Sequence, residues 1–166
     1  MTVAINLFAG PGAGKSTTAA GVFRLLKLRG FNVELVTEYA KDLTWAGRHK
    51  TLNDQLYVFA KQHHRMTMCA DQVDYIVTDS PLLLSRIYGP EDAMLDDVIL
   101  SRFRAFRNVN FFIQRTKPYS SIGRTQTAEQ ALKIDTEVRK HLVDLGEPFV
   151  DVQGNERAAE VIANNF

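Results

Sequence analysis

The segment Ala9-Gly-Pro-Gly-Ala-Gly-Lys-Ser16 lies between an apolar run, Val3–Phe8, and a helical pattern that begins at Lys15. No other feature of the chain restricts its fold so strongly. Glycines at 10, 12 and 14 let the backbone curl back on itself. A turn of this kind aims several N–H groups, and the helix N-terminus with roughly half a positive charge, at one point in space. The pattern is that of a Walker A loop in which Ala9 takes the place of the first glycine. Gly10, Pro11, Gly12, Ala13, Gly14, Lys15, Ser16 and Thr17 would then cradle the phosphates of ATP or a related nucleoside triphosphate. Lys15 would reach the β- and γ-phosphates, Ser16 would offer its hydroxyl to Mg2+, and Thr17 would meet another phosphate oxygen. An ordinary glycine-rich turn has no need of Lys-Ser at that spacing.

The remainder of the chain continues the same alternation of short apolar runs and longer helical patterns, which predicts an α/β fold. The expected order is a strand at Val3–Phe8, a helix from Lys15 to Arg29 stopped by Gly30, and a strand at Phe31–Thr37. A short helix over Glu38–Arg48 should end at Gly47. Thr51-Leu-Asn-Asp54 resembles a capping box opening a helix to about Ala70. A strand at Asp74–Thr78, a helix at Glu91–Arg107 after Gly89-Pro90, and a strand at Val109–Gln114 follow. Arg115–Gln126 mixes basic residues with Pro118, Gly123 and several Ser/Thr, so it is read as a mobile basic loop outside the core. Thr127-Ala-Glu-Gln130 fits a second capping box, opening a helix to Leu145 closed by Gly146. Phe149–Val152 and Glu156–Asn165 supply the last strand and helix. The sum is one domain over residues 1–166, a three-layer α/β fold built on a phosphate loop, with a five-stranded parallel sheet, flanking helices and a basic loop at 115–126.

Composition narrows the partners. Lys plus Arg number 20 against 19 Asp plus Glu, so no global charge draws the chain to a polyanion or a membrane. A lone Cys69 excludes an internal disulfide and is expected to pack as a small hydrophobe on a helix. No signal-peptide pattern or segment of membrane-spanning length is seen. The expected location is the cytoplasm, or the host cytoplasm for a phage-encoded chain.

Ligands of open parallel sheets sit outside the carboxyl ends of the strands, which points to Glu38, Asp79 and Arg115. Glu38 is either the base that accepts a proton from an attacking hydroxyl or a cap on the helix after it. Asp79 reads as a Walker B carboxylate holding Mg2+ through its water shell, or as a cap. Arg115, Lys117 and Arg124 on the basic loop would neutralise charge on a transferred phosphoryl group, unless that loop is plain surface. Trp45 and Tyr57 either stack on a substrate base or belong to the core. His63-His64 point in different directions on a helix and lack partner ligands, so a surface or pocket-edge role is expected. Asp96-Asp97 should lie on a solvated helix face.

The strings TEYAKDL, NDQLYVFAKQHHRM and DYIVTDSPLLLSRIYG, followed by GNERAAEVI, resemble the phosphate-loop kinase family that contains ribosylnicotinamide kinases and many phage ATPase/kinase proteins. The resemblance covers most of the chain. The order TEYAKDLTW, a glutamine on the next helix, then DSPLLLSRIY is also similar to deoxynucleoside kinases. That resemblance implies Glu38 as base, Gln62 on a base edge, lid arginines, and Gly154 and Asn155 beside the adenine. Asp79-Ser80-Pro81 departs from the acidic-Arg-Ser triplet of deoxynucleoside kinases, and the phosphate loop is spelled differently from that of the ribosylnicotinamide kinases, so the acceptor does not carry over.

The sequence is therefore expected to encode a kinase moving the γ-phosphoryl group of ATP, with Mg2+, to a hydroxyl of a nucleoside, nucleotide or related metabolite. Two alternatives stand beside it. One is a kinase of a hydroxymethylated base, such as 5-hydroxymethyluracil, within phage DNA, tracked by Lys41, Arg48 and Lys50 together with the basic loop. The other is a nucleotide-dependent switch or interaction module with no acceptor hydroxyl.

Overall fold

Every residue of β1 (Val3–Phe8) except Val3 is buried, as a strand covered on both faces by helices must be. Its odd and even positions face opposite ways. Ile5 and Leu7 join one core cluster, Ala4 and Phe8 another. A computed structural model describes residues 1–89, 92–120 and 126–166. After β1 come α1 (Lys15–Leu28), β2 (Val33–Val36), α2 (Tyr39–Trp45), α3 (His49–Leu52), α4 (Gln55–Cys69) and β3 (Tyr75–Thr78). A 3-10 turn (Leu82–Leu84), α5 (Ser85–Tyr88), α6 (Ala93–Arg104), β4 (Arg107–Gln114), α7 (Ala128–Asp144), β5 (Val150–Gln153) and α8 (Ala158–Ala163) complete the chain.

The strands form one parallel sheet in the order β2-β3-β1-β4-β5. Only the crossover from β1 to β2 runs toward the β2 edge; the other three run back. Right-handed crossovers of opposite direction lie on opposite faces. Accordingly α1 packs on one face, joined by α8, while α4, α6 and α7 cover the other. The reversal of direction occurs at β1, so the loop after β1 opens at the switch point where such sheets bind ligands. Among the described residues no helix is long and apolar enough to cross a membrane.

The buried face of α4, α6 and α7 also encloses polar groups. Asn6 Nδ2 donates to Asn108 Oδ1 and Asn110 Oδ1, each at 2.9 Å. Asn108 Nδ2 in turn donates to the carbonyl of Phe103, and Asn110 Nδ2 to that of Pro148. Asn6 and Asn110 are direct partners in the ladder between β1 and β4.

Several element boundaries differ from expectation, each for a local reason. β2 starts at Val33 because Phe31 is still committed to the end of α1: its N–H donates to Leu26 O while Gly30, at φ 86°, donates to Lys27 O. This Schellman motif recurs at Gly47 and Gly146. Thr51 does not open α4. It lies within α3, and Asp54 is the cap, accepting the N–H of Tyr57 at 3.1 Å. Helix α6 stops at Arg104, three residues early, because the Asn108 side chain binds the carbonyls of Phe103 and Phe106 and turns the chain into β4. Its cap is Asp92, and the expected start at Glu91 lies outside the described residues. Helix α8 is shortened at its start, where Asn155 Oδ1 accepts the N–H of Arg157. The capping box at Thr127 and Gln130 has both of its reciprocal bonds. Asp96 is not merely solvated, since it pairs with Arg86 of α5 at 2.9 Å.

Candidate phosphate-binding site and adjoining cavity

The loop after β1 is shaped by what surrounds it. Gly12 and Gly14 have φ of 78° and 107°, and Gly14 stands in the capping position of α1. No side chain caps α1, and its first turn holds no acidic residue. Its unpaired N–H groups and positive end therefore face the loop's concavity, a chemistry suited to an anion. There is no room for a side chain at several points. A Cβ on Gly10 would stand 2.6 Å from the carbonyl of Ala131, one on Gly12 3.1 Å from the Tyr119 ring, and one on Gly154 2.7 Å from the carbonyls of Ala13 and Gln114.

Lys15 Nζ donates to the carbonyls of Ala9 and Gly10, both at 2.9 Å. Burial lowers its pKa below the usual lysine value; Glu38, Asp79 and Asp135 pull it back up, and Arg115 pushes it lower. Three carboxylates and a guanidinium thus surround one ammonium. Asp79 arrives there because β3 lies directly beside β1. It is 3% exposed, and its Oδ1 is buried without a hydrogen-bond partner among the described residues. The following 3-10 turn is capped by Pro81, not by Asp79.

From the phosphate loop a cavity of about 460 Å³ extends to the segments between β2 and α5. Lys15, Ser16 and Thr17 line it together with Glu38, Trp45 and Tyr88. Glu38 stands at the N-cap position of α2 but makes no side-chain capping bond. The Tyr88 hydroxyl is pushed well above the usual tyrosine range, by burial first and then by Glu38. Trp45 is 65% exposed, so its indole is not a core residue.

Arg115 departs from the mobile-loop reading. Its side chain is 12% exposed, Nε donates to Asp135 Oδ2 at 3.0 Å, and a second nitrogen donates to the carbonyl of Pro11 at 2.9 Å. Tyr119 likewise covers Gly12, its hydroxyl donating to Gln126 O. Lys117 is exposed, and Arg124 lies outside the described residues.

Further residues singled out in the sequence are engaged within the fold. Gln62 does not reach the cavity: it is 3% exposed, and its amide accepts the N–H of Tyr39 at 2.9 Å and donates to Thr37 O. Tyr57 packs edge-on against Tyr39 and is not among the residues that line the cavity. Gly154 is buried beneath the phosphate loop, with its carbonyl taken by the Thr116 hydroxyl. Asn155 spends its side chain on the turn into α8. His63 stacks on Phe59 within α4.

Asp135, Tyr88 and Tyr119 were not singled out in the sequence. Asp135 carried a signal, since it occupies the buried stripe of α7 between Ala131, Val138 and Leu142, where a carboxylate calls for a partner. Tyr119 carried none.

A glycine-bent loop between the central strand and α1, a half-buried lysine, and a carboxylate after the neighbouring strand define a P-loop, kinase-like nucleoside-triphosphatase fold. The family described as AAA domain matches residues 4–158, and the chain belongs to it. The crystal structure of the NadR protein in complex with NR has the same fold, with a TM-score of 0.74 over 97% of this chain at 16% identity. The chain spans 50% of that protein's chain. No curated protein sequence matches it.

Proposed function

We propose that residues 1–166 work as one kinase domain that moves the γ-phosphoryl group of ATP to a hydroxyl of a nucleoside, a nucleotide or a close chemical relative. The observation that carries this reading is the placing of Glu38 on the wall of the cavity that begins at the phosphate loop. Hydrolysis alone needs no room beyond the phosphate loop, whereas this cavity of about 460 Å³ is lined by Glu38, Trp45 and Tyr88 as well as by the loop. In this reading Glu38 accepts the proton of the acceptor hydroxyl as its oxygen bonds to the γ-phosphorus, and the bridging oxygen leaves with the electron pair on ADP. Lys15 moves from the carbonyls of Ala9 and Gly10 to the phosphates. Arg115 stabilises the charge that spreads over the transferred group.

The residues present fit Mg2+. The buried Asp79 Oδ1, unpartnered among the described residues, and the exposed Ser16 hydroxyl would hold it, where its charge would offset that of the phosphates. Trp45 and Tyr88 offer ring surface to a flat base. The bound NR of the NadR structure supports a small acceptor.

The family description, AAA domain, favours a second reading, nucleotide hydrolysis without an acceptor. Labelled ATP offered with nucleosides, nucleotides, ribosylnicotinamide and hydroxymethylated DNA separates the two. Label transfer to a small acceptor is the expected result. Release of inorganic phosphate alone, unchanged by every acceptor, would establish the second reading.

A further inference from the structure

Asp135 lies two turns into α7 with both carboxylate oxygens in use. Oδ1 accepts the N–H of Gly10 at 2.6 Å, and Oδ2 accepts Nε of Arg115 at 3.0 Å. One side chain thereby joins the start of the phosphate loop, the exit of β4 and a helix. The joint is tight, for a Cβ on Gly10 would also lie 2.9 Å from Oδ1. Both members of the ion pair are largely enclosed, with side chains 12% and 15% exposed.

The donors of Arg115 can be accounted for one by one. A guanidinium has three nitrogens in a rigid plane. Nε is held by Asp135, and Nη2 is held by the carbonyl of Pro11 and by Asp135. Nη1 is buried and has no partner among the described residues. It stands 3.3 Å from where a Cβ on Gly12 would be, directly over the phosphate loop. A plane fixed along one edge cannot turn, so the remaining nitrogen points in one direction. A buried donor without an acceptor is unfavourable unless something fills its place. The group that belongs beside a cation over a phosphate loop is an anion.

We propose that Asp135 is a positioning residue for phosphoryl transfer: it fixes the Arg115 plane so that Nη1 meets the outermost phosphate of a bound nucleoside triphosphate. This rests on the phosphoryl-transfer reading of the site. A merely structural clamp would make a different prediction, namely equal damage to stability, ground-state binding and transfer. A positioning role damages transfer selectively.

The full chain, Asp135→Asn, Arg115→Ala and the double variant are compared in urea unfolding, in binding of Mg-ADP with and without aluminium fluoride, and in ATP turnover. Asparagine keeps an acceptor for the Gly10 N–H but loses the charge that orients Arg115. Asp135→Asn is expected to lower kcat about a hundredfold, as misplacing a reacting group does, while Mg-ADP affinity changes by no more than about threefold. Affinity for the fluoride complex falls in step with kcat, and the double variant is no worse than Arg115→Ala. Additive losses, or equal losses for Mg-ADP with and without fluoride, overturn the proposal. If Asp135→Asn does not fold, Arg115→Lys carries the same test, since it keeps the charge without the planar edge that Asp135 holds; full turnover by Arg115→Lys overturns the proposal. A wild-type chain that binds no nucleotide overturns the phosphoryl-transfer reading as well, whereas active wild type with an equally active Asp135→Asn overturns this inference alone.

Discussion

Gln62 Oε1 accepts the backbone N–H of Tyr39 at 2.9 Å, and so a buried amide on α4 holds the peptide that joins Glu38 to Tyr39. The orientation of the acceptor-side carboxylate therefore depends on a residue that does not line the cavity. Gln62→Leu keeps the volume but strands that N–H, while the Thr37 carbonyl keeps only its bond from Arg65 Nη1. Stability should fall by about 1–3 kcal/mol, the cost of unsatisfied buried groups, as measured by urea unfolding. Phosphoryl transfer should fall while nucleotide affinity holds. A variant of full activity would separate Gln62 from the site.

Lys15→Met removes the ammonium from the phosphate loop. Nucleotide affinity should drop about ten- to hundredfold, the worth of a charge-assisted hydrogen bond. The ligand-free protein gives a second readout. Burial sets the folded pKa of Lys15 below its usual 10.5. Between that lowered value and 10.5 the unfolded chain binds more protons than the folded one, so this residue's contribution makes stability rise with pH. The stability of wild type minus that of Lys15→Met should rise across this window. A flat difference would mean that the ammonium is better solvated than its surroundings imply.

Glu38→Gln preserves shape and removes the proton acceptor. With a small acceptor present, turnover should fall about a hundredfold and nucleotide affinity should stay the same. Stopped-flow or steady-state assays with labelled ATP read the first, and calorimetry the second. Undiminished transfer would pass the role of base to another carboxylate, with Asp79, which also acts on Lys15, next in line.

Gly154→Ala places a methyl group 2.7 Å from the carbonyls of Ala13 and Gln114. The phosphate loop must shift or β4 must. A loss of about 1–3 kcal/mol on unfolding is expected, as for other overpacked sites, together with weaker nucleotide binding. Unchanged binding would show that the loop can give way beneath its glycines.

What could be read from the sequence was local. The strand Val3–Phe8, the glycine stops after α1, α2 and α7, and the box at Thr127 each depend on residues within a few positions of one another. The cap of α4 was read one turn early because Thr51 and Asp54 both suit the position; the extra helix α3 decides for Asp54. The place of Gln62 is hidden in the sequence for another reason. Helical spacing gives the face a side chain leaves from, but its partner, Tyr39, sits 23 residues away on another element. Arg115 and Asp135 are 20 residues apart, and Asp135 and Gly10 are 125 apart. No short-range pattern marks such pairs, which come together only once the sheet has its order.

The asparagine ladder has a consequence for how the chain comes into being. Of the five strands β1 is the first to be synthesised, and its Asn6 amide finds its partners on β4, 102 and 104 residues later. Until then the central strand lacks one of its two neighbours, and closing so long a loop is slow. A chain growing from the ribosome thus displays its glycine-rich turn long before anything can hold that turn in shape. When β4 docks, the three amides accept only the alignment that pairs Asn6 with Asn110, since a slip along the strand would strand them in the apolar layer. The same event carries Arg115, at the end of β4, up against Pro11. Acquisition of a competent nucleotide site is therefore timed by the fourth strand.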